Sequence, residues 1–230
     1  MPSIWAVTKR LVLVGLALSV SASVASCSGG STSQLPTTVS PTPSSSAAAV
    51  PGSLAVTASD LGSGWQQRAI PGGTQVSGEV TLDLCGGGYA SEAMRVARLQ
   101  IALKNGPAVI SNEVVRYRAS GAHLAYEELK QRVAHCPSAP VTMPEAGAPK
   151  VRWHLTALPV RPTWVPTTVA VRATTSFRGK SRTSLEIFQF AGDWLSAVYS
   201  EDDSQTSVAA VQRATTLAAQ KLRAAGDVSA

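Results

Sequence analysis

The chain has 230 residues, of which 15% are charged, and a formal net charge of +6 at pH 7. Its N-terminal leader, described below, contains two basic residues and no acid, so the chain without it carries 18 − 14 = +4. This excess is too small for the basic footprint of a nucleic-acid-binding protein, and we expect no nucleic-acid partner. It fits a protein that lies close to anionic lipid head groups or acidic wall polymers.

Residues 1–26 have the pattern of a bacterial secretory signal, with a basic n-region at positions 9 and 10 and an apolar segment from Leu11 to Val20. The run from Val24 to Cys27 resembles the lipobox, in which the cysteine becomes a lipid-modified mature N-terminus. The alternatives are a plain signal peptide and a membrane anchor, but a spanning helix needs roughly 20 apolar residues. We expect lipid attachment at Cys27 and a lipid-anchored protein on the extracytoplasmic face of the cell membrane.

Residues 27–53 are interpreted as the lipidated cysteine and a tether. The stretch from Ser28 to Ser53 has 26 residues without a charge, and 19 of them are Ser, Thr, Pro or Gly. This composition buries too little apolar surface to offset the entropy of ordering, which predicts disorder. A flexible coil of this length spans about 30 Å on average. Residues 54–230 then form a single domain of sufficient size for one compact core.

Cys85 and Cys136 remain once Cys27 carries the lipid. An even number of cysteines in an exported protein favours a disulfide, and closing this loop is worth roughly 4 kcal/mol in the chain-entropy model. A zinc site matches poorly, because the cysteines are 51 residues apart and only His123 and His135 are nearby. A redox pair matches poorly without a Cys-x-x-Cys motif. We predict a structural disulfide, no metal site and no cofactor.

The folded part begins with a short helical turn that ends near Gly64. The segment from Arg95 to Lys104 alternates apolar and polar side chains, which predicts a half-buried strand. Asn105-Gly106 is a hairpin-turn sequence. Val109 to Arg118 is therefore the predicted return strand.

An amphipathic helix is predicted from Ser120 to Cys136, where Pro137 stops it. Four strands joined by short connections follow, and then a final helix capped by Asp203-Ser204. These strands are predicted over Val151–Leu155, Val169–Phe177, Thr183–Phe190 and Trp194–Tyr199. Strands joined by tight turns pair antiparallel, and a sheet buries one face under helices. The sequence predicts an α+β fold, with one antiparallel sheet covered on one face by two main helices.

No motif in the sequence points to catalysis. Gly179-Lys180-Ser181 looks like the end of a phosphate-binding P-loop, but the required earlier glycine is Thr174 and a strand follows instead of a helix. The histidines are scattered. His123 and His135 lie about 120° apart around one predicted helix, and His154 is on the outward side of its strand. We therefore predict a protein that is not an enzyme.

Arginines recur on the polar faces of the predicted strands. If the strands pair side by side, several arginines line one open face, and the guanidinium fork suits phosphate or carboxylate. We predict Arg116, Arg118 and Arg172 as ligand-binding residues, with an anionic lipid or a cell-wall polymer as the ligand. The alternative is an ordinary solvated sheet face. The full set of basic residues on these faces is Arg98, Lys104, Arg116, Arg118, Arg152, Arg172 and Arg178.

Several of these features together resemble a known family. They are the lipobox, the tether, the motif Asp60-Leu61-x-x-Gly64-Trp65, the cysteine pair and the strand containing Trp194. The chain resembles the PknH-like extracellular sensor domains of actinobacterial receptor kinases, which also occur on envelope lipoproteins. The resemblance covers about Leu54 to Ala225 and implies an α+β, disulfide-bonded domain that binds a ligand in a cleft. A second resemblance, to a PsbP-like lipoprotein group, also implies binding.

The function predicted from the sequence is that of a cell-envelope lipoprotein whose tethered domain binds a ligand or a partner without catalysis. The alternative is a hydrolase or transferase that acts on wall or lipid components through an unrecognised site. An enzyme needs titratable groups that converge in a pocket, whereas a binding domain needs only a shaped groove. A third possibility is a structural partner in an envelope assembly, which would expose an apolar patch of several hundred Å².

Overall fold

A computed structural model describes residues 50–143, 149–200 and 202–226 of the chain. The predicted signal peptide, the predicted lipid attachment at Cys27 and the tether up to residue 49 lie outside the described residues. The tether was predicted to extend to residue 53, but its last residues fold as part of helix α1 (Pro51–Leu54). Pro51 presets the backbone of the first turn, and Leu54 is buried in the core.

The described residues contain an eight-stranded sheet in which each neighbouring pair of strands is antiparallel. The α+β class and the antiparallel sheet are thus confirmed. The strands are β1 (Gln66–Ala69), β2 (Arg95–Asn105), β3 (Ala108–Tyr117), β4 (Val141–Thr142), β5 (Lys150–Ala157), β6 (Thr168–Phe177), β7 (Lys180–Ala191) and β8 (Trp194–Ser200). Their order in the sheet is β1-β2-β3-β8-β7-β6-β5-β4. The other helices are α2 (Ala58–Leu61), α3 (Gly121–Ala134) and α4 (Gln205–Gly226).

Two local signals in the sequence set the predicted boundaries. Asn105 pairs with Ala108 across the β2–β3 turn, and Gly106 has φ +56°, a conformation that glycine adopts without a steric penalty. At the start of α4, the Ser207 amide donates to Ser204 Oγ at 3.2 Å, which is an N-cap. Both features confirm the hairpin and the final helix. No helix in the described ranges is long and apolar enough to cross a membrane.

The two main helices pack on opposite faces of the sheet. α4 packs against β3, β7 and β8 on the face that carries Val114 and Ile187, and we call this the α4 face. α3 packs against β3, β6 and β7 on the face that carries Val115 and Phe188, the α3 face. The sequence predicted both helices on one face. The difference arises because β7 is buried at each position from Leu185 to Phe190, so both of its sides need a cover.

The N-terminal segment is fixed on the α4 face by buried polar contacts. The Val56 amide donates to Asn112 Oδ1 at 2.8 Å, and Asn112 Nδ2 donates to the Ala197 carbonyl at 2.9 Å. Lys221 Nζ of α4 lies 3.0 Å from Asp60 Oδ2 at the end of α2. These contacts hold α1, α2 and α4 together over β3 and β8, which are central strands of the sheet.

Candidate functional site

The outer strands β5 and β6 present exposed and half-buried polar side chains on the α4 face, beside the area that α4 covers. Strand register places these side chains in three rungs across β5 and β6: Arg152 opposite Ser176, His154 opposite Thr174, and Thr156 opposite Arg172. On β7, Ser181 and Thr183 continue the first two rungs. We call this surface the open face, and it consists of Arg152, His154, Thr156, Arg172, Thr174, Ser176, Ser181 and Thr183.

The open face is regular because the strands impose their own spacing. Successive side chains on one face are about 6.8 Å apart along a strand, and neighbouring strands are about 4.8 Å apart. The hydroxyls of Thr174 and Thr183 are 3.0 Å apart, and those of Ser176 and Ser181 are 2.8 Å apart. Each pair uses one donor and leaves the second hydroxyl hydrogen for another acceptor. The surface therefore offers hydrogen bonds at a fixed period.

The charge of the open face is one-sided. Strands β5 and β6 contain no acidic residue, and the acid of β7, Glu186, points to the α3 face. Arg172 is exposed and forms no hydrogen bond or ion pair with other described residues. Arg152 is exposed and donates one hydrogen bond, at 2.5 Å, to the Ser138 carbonyl. A guanidinium has five N–H donors, so both arginines keep donors for a ligand.

The predicted set Arg116, Arg118 and Arg172 is separated in the structure. Arg116 shares the α4 face with Arg172, but it lies in the row of Trp194 and Ala191 and stacks on the Trp194 ring at 5.7 Å. That row is about 20 Å along the strands from the row of Arg172. Arg118 follows the end of β3, is exposed, and donates to the Ala93 carbonyl at 3.2 Å. Strand pairing instead joins Arg172 to Arg152 and His154.

Arg98 is a polar-face arginine with a structural role that the sequence did not predict. Its Nε lies 2.6 Å from Glu113 Oε1, and both side chains are only 2% exposed. Thr81 Oγ1 also donates to Glu113, at 2.7 Å, and Arg98 donates to the Gly72 carbonyl at 2.9 Å. The irregular segment between β1 and β2 thus covers the pair. The sequence of that segment has no helical or strand periodicity, so its position over Arg98 and Glu113 could not be predicted.

Among the buried carboxyl groups, Glu186 has the pKa that departs most clearly from its ordinary value. Burial raises its pKa to about 7, partly opposed by a hydrogen bond from Ser184 Oγ (2.8 Å) and by the charge of Arg182. It pairs across the sheet with Tyr199, whose hydroxyl donates to Glu113 Oε2 at 3.4 Å. A carboxyl that titrates near neutral pH can act as a general acid or base. Among the described residues, Glu186 and Tyr199 come closest to forming an acid–base site.

The predicted disulfide between Cys85 and Cys136 is present, with a Cα–Cα distance of 5.5 Å. It joins a short 3-10 turn (Leu84–Gly86) to the end of α3. A cleft of about 350 Å³ lies beside the bond. Its lining residues are Gly88, Tyr89, Glu128, Gln131, Arg132 and His135.

The charged groups of the cleft mainly hold its own walls. Glu128 accepts hydrogen bonds from the amides of Ala90 (2.7 Å) and Ser91 (3.1 Å). Arg132 donates to the Gly87 carbonyl at 3.0 Å and lies 5.6 Å from the centre of the Tyr89 ring. These contacts leave fewer free donors here than on the open face, so the cleft is the second candidate for a ligand site.

Two of the three histidines lie beside other charged groups: His135 lines the cleft with Glu128 and Arg132, and His154 lies between the rungs of Arg152 and Arg172. His123 and His135 are exposed at the two ends of α3, and His154 lies on the open face. Within the described residues, no group of three or more His, Cys, Asp or Glu side chains could hold a metal ion.

No family model matches the chain, and no curated protein matches it. Among solved structures, the chain is similar to the extracellular domain of PknH from Mycobacterium tuberculosis, with 14% sequence identity and a TM-score of 0.47. The match covers 75% of this chain and 94% of that chain.

Proposed function

We propose that the protein is a lipid-anchored component of the cell envelope whose extracytoplasmic domain binds a ligand or a partner and catalyses no reaction. The observation that carries this proposal is the open face, which combines two arginines and a histidine with hydroxyl side chains and has no acid on β5 or β6. Such donors suit an anionic ligand. The disulfide fits an oxidising, exported location.

Anchoring through Cys27 is part of this proposal. Replacing the cysteine by alanine should prevent lipid attachment and release the protein from the membrane fraction. Mass spectrometry of the mature N-terminus checks the modification, and membrane fractionation checks the release. Membrane retention of an unmodified Cys27→Ala protein would contradict lipid anchoring.

Binding is tested by co-sedimentation of the mature protein with purified cell envelopes. We expect saturable sedimentation, reduced by salt because charged contacts between exposed groups are screened. An exported domain of similar size and charge from another protein is the control. Sedimentation no greater than that of the control would contradict a binding function for this domain.

The second candidate function is a hydrolase or transferase that acts on wall or lipid components. The observation that favours it is Glu186, a buried carboxyl whose pKa is raised to about 7 beside Tyr199. An enzyme of this kind would release soluble fragments from purified envelopes, and Glu186→Gln should reduce that release by about a hundredfold or more. A binding domain releases no fragments with either protein. Chromatography of the supernatant separates the two functions.

A further inference from the structure

We infer that the open face binds a linear polyol-phosphate polymer of the cell wall, a chain of hydroxyl-bearing units joined by phosphodiesters. This inference rests on the proposed binding function and names the ligand of the surface that supports it. The polymer lies along β5 and β6, so that successive repeat units meet successive rungs of the open face.

Each rung pairs a nitrogen donor with a hydroxyl. Arg152 faces Ser176, His154 faces Thr174, and Arg172 faces Thr156. Directly opposed side chains on an antiparallel pair have Cβ atoms about 5 Å apart, so one ligand group can contact both members of a rung. The rungs repeat about every 6.8 Å along the strands. A polymer with one anionic group per repeat of similar length can therefore satisfy consecutive rungs.

Phosphodiester chemistry fits this combination of donors. A phosphodiester carries one negative charge in the polymer chain itself at each repeat, and its two free oxygens can accept from a guanidinium and from the neighbouring hydroxyl. A carboxylate can accept from the same guanidinium fork, but in a polyuronate it is a substituent of a bulky sugar ring, so binding to a polyuronate is a separate outcome of the test. The remaining Ser and Thr hydroxyls can bond to the polyol part of the ligand, because a hydroxyl both donates and accepts.

The open face is a poor match to a membrane surface. Membrane-binding surfaces combine apolar side chains that enter the lipid with clusters of about four to eight basic residues. The open face has two guanidiniums. The large apolar side chains that are exposed in the described residues are Val50, Val96 and Val160, and none of them lies on β5, β6 or β7. We therefore favour a polymer over lipid head groups.

The test uses the mature chain and immobilised poly(glycerol phosphate), with the dissociation constant measured at low and high salt. The double variant Arg152→Gln/Arg172→Gln should bind at least about tenfold more weakly than the wild type. The control is Arg68→Gln/Arg213→Gln, which removes the same charge from two exposed positions outside the open face. It should bind within about twofold of the wild type, since exposed charges beyond a Debye length are screened.

A hydroxyl variant separates specific recognition from charge. Thr174→Val/Ser176→Ala removes two hydroxyls of the open face and leaves the net charge unchanged, and we expect about a threefold or greater loss of affinity. Circular dichroism of each variant confirms that the sheet is intact. Unchanged binding by this variant would overturn the rung arrangement.

Other outcomes also overturn the inference. Equal weakening by the two charge variants would mean that only net charge matters. Tighter binding to a polyuronate would assign a carboxylate polymer, and equal or tighter binding to phosphatidylglycerol vesicles would assign a membrane surface. If the wild type binds none of these probes but still sediments with envelopes, the inference fails while the proposed binding function stands. If it also fails to sediment, both fail.

Discussion

Two regions of the sheet carry arginines on strands of similar sequence pattern, and their surroundings differ. Arg98 of β2 lies under the segment between β1 and β2 and forms a buried ion pair with Glu113. Arg172 of β6 lies on the open face, is exposed, and has no acidic residue on its own strand or on β5. The first arginine completes the fold, whereas the second is available to a ligand.

Alternation in the sequence assigns a side chain to one side of a strand but does not decide whether that side chain is exposed. Exposure depends on what packs over that side. At β2 the cover comes from a long irregular connection, and at β5 and β6 the α4 face extends beyond the helix that covers its centre. The same residue type is thus structural at one edge of the sheet and available for binding at the other.

We expect the greatest loss of stability when the buried ion pair between Arg98 and Glu113 is broken. Arg98→Met leaves the Glu113 carboxylate buried without its cation, which should lower the free energy of unfolding by about 3–5 kcal/mol. Urea denaturation at pH 7 measures this change. Adding Glu113→Leu should recover part of the loss, because the unpaired charge is then removed as well. A loss below about 1 kcal/mol for Arg98→Met would contradict a structural role for this arginine.

Removing the disulfide should have the next largest effect. The bond links the connection that covers the α3 face to the end of α3. Cys85→Ser/Cys136→Ser should lower the free energy of unfolding by about 4 kcal/mol, because the unfolded chain gains loop entropy. Reduction of the wild type in denaturation experiments should give a similar loss. Equal stability of the oxidised and reduced proteins would show that contacts other than the disulfide hold the connection around Cys85 on the α3 face.

Glu186→Gln should stabilise the protein in a pH-dependent way. The pKa of Glu186 is about 7 in the folded protein, compared with an ordinary value of 4.5. The folded state therefore holds this proton more tightly, and the wild type loses stability as the pH rises from about 4.5 to about 7. Above pH 7 the variant should be more stable by on the order of 2 kcal/mol, and below pH 4.5 the difference should vanish.

Urea denaturation of the wild type and of Glu186→Gln at pH 4 and pH 8 measures whether the variant is more stable only at the higher pH. The side-chain carbonyl of the introduced glutamine can still accept the hydrogen bond from Ser184, so the comparison isolates the charge. A stability difference of the same size at both pH values would show that ionisation of Glu186 is not its cause.

The smallest effect on stability is expected on the open face. Arg152→Gln/Arg172→Gln should change the free energy of unfolding by no more than about 0.5 kcal/mol, because both side chains are exposed and neither forms an ion pair with another residue that the structure describes. Thermal denaturation of this double variant and of Arg98→Met under the same conditions compares the two losses of stability. A loss as large as that of Arg98→Met would remove the distinction between the two regions.

Much of the fold could be predicted from local sequence signals. Alternation and Asn105-Gly106 gave the β2–β3 hairpin, helical spacing gave α3 and α4, and cysteine parity gave the disulfide. The short strands β1 and β4 were not predicted, because runs of four and two residues are too short to display a period. The placement of the helices on opposite faces also depends on long-range packing.

The candidate site could be predicted only in part. The sequence identified arginines on polar strand faces and included Arg172 and Arg152 among them. Which of them share a surface depends on strand order and register, and in the sheet the β3 and β6 strands are separated by β8 and β7. The pairing of Arg152, His154 and Arg172 with hydroxyl residues across β5 and β6 therefore required the structure.

Mapping the contacts of poly(glycerol phosphate) on the mature protein by NMR shows whether the open face is the surface that holds the ligand. We predict that the backbone amide shifts change at residues 152–156 and 172–176 and at Ser181 and Thr183, while the amides around Arg98 and Glu113 stay unchanged. Titration with the polymer at low salt gives the affinity from the same spectra. Shift changes centred on Tyr89 and Arg132 would contradict the account by placing the ligand in the cleft beside the disulfide.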